Sequence, residues 1–149
     1  MSAMQQLNLP PAKLRLTQKG NQVYVFCTLR RKELVLTPEE WVRQHLIHLL
    51  IDHKNIPAGL ISSEMTIEVN GLVRRCDLVV YSREGRPRMI VECKAPEIAI
   101  TEGTFRQIAQ YNHRLQVELL ILSNGLDHII AKVDQLSGDV AFLDDLPLF

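Results

Sequence analysis

The chain has 149 residues, 46% of them hydrophobic, which is enough apolar material for one compact domain with a real core. Seventeen Lys and Arg balance seventeen Asp and Glu, so no global field draws nucleic acid, and any positive surface must come from local clustering. No charged leader precedes an apolar run, and no uncharged apolar run approaches the roughly 20 residues of a bilayer span, which predicts a soluble cytoplasmic protein with no membrane partner.

Residues 1–20, with Pro10 and Pro11 and no periodicity, predict an extended arm. After the Gly20-Asn21 turn signal, the β-branched and aromatic run from Val23 to Leu29 predicts a strand, followed by the basic cluster Arg30-Arg31-Lys32. Thr37-Pro38-Glu39-Glu40 predicts a helix start: Thr37 caps, Pro38 suits the first helical position, and the two acids favour the first turn. This helix should run to about Lys54, with Trp41, Val42, His45, Leu46, Leu49 and Leu50 as its apolar stripe and Glu40 and Arg43 one turn apart beside it.

Three antiparallel strands are expected next, from Ile61 to Val69, Leu72 to Tyr81 and Arg88 to Cys93. Asn70-Gly71 and the Gly85 turn join them. The nearly continuous apolar runs Leu78-Val79-Val80 and Ile90-Val91 indicate a sheet covered on both faces. Thr101 to Leu115 predicts a second helix, with Phe105, Ile108, Ala109 and Leu115 at core spacing and Gln107 and Tyr111 sharing another face. Further strands are expected at Val117–Leu122 and His128–Val133, and a short one at Val140–Phe142. The expected class is α/β (α+β), a mixed central sheet flanked by helices. Cys27, Cys76 and Cys93, odd in number and set in strand-like apolar runs, predict reduced core thiols.

Chemistry concentrates in one hairpin. Asp77 lies near the start of one strand, and the next ends in Glu92-Cys93-Lys94, where alternation predicts Glu92 and Lys94 on one face and Cys93 on the other. Two convergent acids suit a hard divalent cation such as Mg²⁺, and a lysine beside them can act on a water near a phosphate. A Glu-x-Lys triplet alone says little, since roughly one chain in two of this length has one by chance. Its weight comes from Asp77 on the neighbouring strand. The histidines lack zinc-site spacing: His45, His48 and His53 follow one helix three and five residues apart, and His113 and His128 stand alone. Arg74 and Arg75 are candidates for a phosphate-binding rim.

This order of elements, with an acid on the first helix, Asp77, Glu92-x-Lys94 and Gln107-x-x-x-Tyr111, resembles the PD-(D/E)xK nuclease superfamily. More narrowly, Leu36-Thr37-Pro38-Glu39-Glu40-Trp41-Val42-Arg43-Gln44, Arg75-Cys76-Asp77 and Val91-Glu92-Cys93-Lys94-Ala95-Pro96 resemble a stand-alone version of the N-terminal nuclease domain of type I restriction enzyme R subunits. The resemblance implies a restriction-endonuclease-like fold, a single nuclease-like domain over 1–149, and a Mg²⁺-dependent deoxyribonuclease in which Mn²⁺ substitutes. It implies Asp77 and Glu92 as metal ligands, the Cys93 carbonyl as a third, and Glu40 as a further acid in the metal shell. Lys94 would activate water, and Gln107 and Tyr111 would position nucleic acid. Cys76 departs from the family by replacing the proline of the motif. R subunits join such a domain to a motor for which 149 residues leave no room, so DNA would arrive through a motor or specificity subunit on another chain, or by diffusion. A homodimer would pair two sites across a duplex. The competing class is a catalytically weak nucleic-acid-binding or complex-forming module of the same fold.

Overall fold

The computed structural model describes residues 4–69 and 71–147, without the side chains of residues 65, 67, 69, 72, 74 and 110–115. Strands β1 (Leu16–Lys19), β2 (Gln22–Cys27) and β3 (Lys32–Val35) form an antiparallel sheet of their own in the order β1-β2-β3. The strand expected after Gly20-Asn21 is β2, but it lies outside the main sheet. Its neighbours escaped the sequence reading because they are four residues long, mostly exposed and without apolar alternation. Surface contacts hold them: Lys19 bonds Glu33 at 2.6 Å, and the Arg15 guanidinium stacks 4.7 Å over the Phe26 ring. β1 falls within the segment expected as an arm. Upstream of it, Leu7 is buried and Asn8 donates its N–H to the Gly125 carbonyl.

Helix α1 (Pro38–His48) starts as its sequence dictates, with the Thr37 hydroxyl accepting the Glu40 N–H at 3.0 Å and Pro38 in the first turn. The chain then winds more widely as a π-helical turn over Leu49–His53. Strands β4 (Ile61–Val69), β5 (Leu72–Tyr81), β6 (Pro87–Cys93), β7 (Leu119–Ser123), β8 (His128–Val133) and β9 (Val140–Leu143) form the main sheet in sequence order. All neighbours are antiparallel except β6 and β7, whose parallel pairing needs the crossover that α2 (Glu102–Leu115) supplies.

The two helices cover opposite faces. Val42, Leu46 and Ile47 of α1 and Leu50 of the π-helical turn pack on Leu78, Val80, Met89, Val91, Leu119 and Ile121; Phe105 and Ile108 of α2 pack on Val79, Ile90, Leu120 and Leu122. β7 therefore buries both faces, which is why it reads as an unbroken apolar run. All three cysteines are free and buried. Among the described residues no helix is long and apolar enough to cross a membrane.

The turn after β7 is a point of close approach. Gly125 has φ of 87°, and a Cβ there would lie 2.7 Å from Leu7 Cδ2 and 3.1 Å from Val42 Cγ2. Leu7 can rotate aside, but Val42 is fixed on α1 and the φ is unfavourable for any side chain. Gly125→Ala is expected to destabilise the fold by about 1–3 kcal/mol in urea unfolding. An unchanged midpoint would mean that the N-terminal segment does not pack on this turn.

Candidate functional site

The register between β5 and β6 runs as far as the pair Leu78 and Val91, so Asp77 and Glu92 lie one step beyond it on adjacent strands. Alternation along β5 breaks at this step: Cys76 packs beneath α2 whereas Leu78 packs beneath α1. On β4, Glu64 lies level with Asp77, between the paired residues Ser63 and Met65, and takes a left-handed φ of 54°. An irregularity of this kind re-aims a side chain. The Asp77 carboxylate turns towards α1, where Oδ1 accepts from Arg43 Nη2 at 3.0 Å, while Oδ2 accepts the Cys93 N–H at 2.8 Å. A side chain thus takes the β6 donor at the mouth of the strand fork.

Arg43 is the centre of the site. Nη1 pairs with Glu40 Oε1 and lies 3.8 Å from Glu64 Oε1, and Nη2 is shared between Asp77 and Glu39 Oε1 at 3.3 Å. Arg43 and Glu40 are 7% and 6% exposed, and Gln44, fully buried, donates to Glu40 Oε2 at 3.1 Å. Burial opposes the charge on Arg43, yet Glu40 and Asp77 outweigh it and raise its pKa above the ordinary arginine value. Burial and the Asp77 charge push the Glu39 carboxyl up, against Arg43 and Lys94. Glu64 is shared, bonding Arg30 at 2.8 Å and Arg75 at 3.2 Å.

The residues singled out in the sequence distribute unevenly. Glu40 and Asp77 meet through Arg43. Glu92 is buried on β6 between Val91 and Cys93. Lys94 follows directly, its N–H donated to the Ser123 carbonyl at 2.8 Å and its charge felt at Glu39. Cys93 gives its N–H to Asp77 and its thiol to the core beneath α1. Gln107 is exposed on α2, which packs on the opposite face from α1. Arg75 extends 70% of its side chain into solvent even as it touches Glu64. The side chains of Arg74 and Tyr111 lie outside the described residues. Sequence reasoning noted Arg43 only as a neighbour of Glu40. The signal was present, because Glu39, Glu40, Arg43 and Gln44 are spaced to meet one turn apart. No local pattern marked Glu64, whose role depends on a strand irregularity.

The family's divalent ion can be tested against these donors. Both Asp77 oxygens are already bonded, to a guanidinium and to a backbone N–H, and Glu40 is bonded by Arg43 and Gln44. Among the described residues no set of three or more His, Cys, Asp or Glu side chains is arranged to hold a metal ion. In this arrangement the Asp77 and Glu40 oxygens are not free to hold a resident divalent ion; a guanidinium fills the centre of the acids.

Two solution properties follow. Arg43→Ala leaves Glu40 and Asp77 without their counter-charge in the interior and is expected to cost about 3–5 kcal/mol in urea unfolding. Glu39→Gln, at the solvent-facing end of the network, is expected to cost under about 1 kcal/mol. Equal losses would show that the network is not a buried one. Separately, burial raises the Cys93 thiol well above its ordinary pKa, with Asp77 adding to the effect. In the native protein near neutral pH, Cys93 should resist a thiol-reactive dye and react only as fast as the chain unfolds.

Comparison with known proteins agrees with this architecture. A solved fragment from Vibrio vulnificus YJ016, described as an HsdR subunit of a type I restriction enzyme, shares 21% identity with a TM-score of 0.51 over 76% of this chain. That likeness supports a restriction-endonuclease-like fold, and the chain spans 24% of the matched one. No curated protein is found to match. The family described as Type I restriction enzyme R protein N terminus (HSDR_N) matches residues 38–147, and the chain belongs to that family, within the PD-(D/E)xK nuclease superfamily.

Proposed function

We propose that the chain is a nucleic-acid-binding module of the restriction R-subunit fold that works within a larger assembly and hydrolyses phosphodiesters only weakly by itself. The observation that carries this reading is the engagement of both Asp77 oxygens by Arg43 and the Cys93 N–H. DNA is the partner, and a motor or specificity subunit on another chain, or a second copy of this one, works on it together with the module. That the module spans only 24% of the matched fragment chain favours such an assembly. Three reduced thiols suit the cytoplasm.

A second reading is a Mg²⁺-dependent deoxyribonuclease, with Mn²⁺ able to substitute, in which Asp77, Glu92 and Lys94 carry the hydrolysis and Gln107, Tyr111, Arg74 and Arg75 hold DNA. The position of Asp77 and Glu92 just beyond the last pair of β5 and β6, with Lys94 directly after β6, favours it.

Two measurements separate these readings. Linear, circular and single-stranded DNA and RNA are incubated with Mg²⁺ or Mn²⁺ and the wild-type or Lys94→Ala protein, and DNA binding is followed by anisotropy in EDTA across a salt series. The binding-module reading expects near-background cutting by both proteins and salt-sensitive binding, weakened several-fold by Arg75→Glu with a shallower salt slope. Rapid metal-dependent cutting that vanishes in Lys94→Ala would establish the nuclease instead. Absence of both cutting and binding would remove nucleic acid from the proposal.

A further inference from the structure

We infer that Arg43 is the resident cation of the acidic pocket at Asp77, and that a divalent ion reaches this carboxylate only by displacing the guanidinium. Only the identity of the competing ion rests on the family reading proposed above; the competition itself comes from geometry. Carboxylate oxygens from Glu39, Glu40, Glu64 and Asp77 gather around the two terminal nitrogens of one side chain. A shell of acidic oxygens is what a hard cation collects, and the planar guanidinium fork occupies it instead. The Asp77–Arg43 ion pair is therefore an autoinhibitory contact set against metal loading.

Three features make the contact reversible. First, Glu39, Glu40 and Asp77 all bond the one Arg43 guanidinium, while Glu64 is also served by Arg30 and Arg75. The vacated pocket would therefore stay acidic, tempered by Lys94, whose charge is felt at Glu39. Second, Gln44 Oε1 is buried without a hydrogen-bond partner, on the same side chain that donates to Glu40. A further oxygen is thus at hand beside the acids. Third, the guanidinium has a way out. Nη2 is already shared with Glu39, whose side chain is 46% exposed, so rotation about the Arg43 side-chain bonds can carry the fork outward along a partner it keeps. The α1 backbone need not move, because Val42 and Leu46 hold it in the core.

The test uses the full chain and Mn²⁺ alone, with binding read by calorimetry and by the loss of the free-ion paramagnetic resonance signal. Wild type is expected to bind weakly. Arg43→Lys, which keeps the charge but loses the fork, should bind at least about tenfold more tightly, and Arg43→Met more tightly still. Adding Asp77→Asn to either variant should abolish the gain. The inference is overturned if wild type binds Mn²⁺ as tightly as Arg43→Lys, or if Asp77→Asn leaves the gain intact. Should the variants fail to fold, Mg²⁺ titration of the wild-type chain by NMR decides. The Cys93 amide and the Arg43 Nε–Hε peaks must then move together or both stay still; movement of Cys93 with Arg43 unchanged refutes displacement. No nucleic acid is present, so failure here leaves the DNA-binding reading standing, and loss of DNA binding leaves this inference standing.

Discussion

One guanidinium held among carboxylates at the junction of α1 with the β5–β6 fork governs the local structure. Arg43 reaches across from the helix to Asp77, and Asp77 in turn takes the Cys93 N–H just beyond the last paired residues of the two strands. Helix angle and strand divergence are thereby tied to a single charge. Such networks add little net stability, because desolvating the ions offsets most of their attraction. What they add is intolerance of alternatives: a rotated α1 or a slipped β5 would leave Glu40 or Asp77 ionised in the interior with no cation beside it.

Global neutrality conceals this local organisation. Around the fork, among the described residues, the acids Glu39, Glu40, Glu64, Asp77 and Glu92 are interleaved with the bases Arg30, Arg43, Arg75 and Lys94. A phosphate backbone approaching the site therefore meets charges already committed to one another. Arg75 stands out because most of its side chain is in solvent and it pairs with Glu64, which Arg30 also serves.

Most of the fold was legible because its elements carry strong local signals. The Thr37-Pro38-Glu39-Glu40 start, the paired strands β4 and β5, and the apolar runs of β5, β6 and β7 each state one structure consistently. β1 and β3 were illegible for the opposite reason: short, polar and exposed, they exist because β2 offers them an edge. At the site, the spacing of Glu92 and Lys94 suggested convergence by simple alternation. Alternation fails nearby, at Asp77, where the chain departs from regular pleating and the side chain turns to α1. Periodicity could bring Asp77, Glu92 and Lys94 to one hairpin but could not say which carboxylate oxygen would be bonded to what.

The site's location follows from topology as much as from its residues. β6 and β7 run parallel and end side by side at Cys93 and Ser123, and in open sheets the crevice beyond the carboxyl ends of parallel strands is where ligands collect. Two segments leave from these ends, one running to α2 and the other forming the Asn124-Gly125 turn. Asn124 ties them together, donating to the Ile98 carbonyl at 2.8 Å while its own oxygen accepts the N–H groups of Leu126 and Asp127. Asp77 and Arg43 lie on the α1 side of this tie, and Gln107 on the helix that covers the other face. A ligand that touched both would have to be long and to pass over the tied segments.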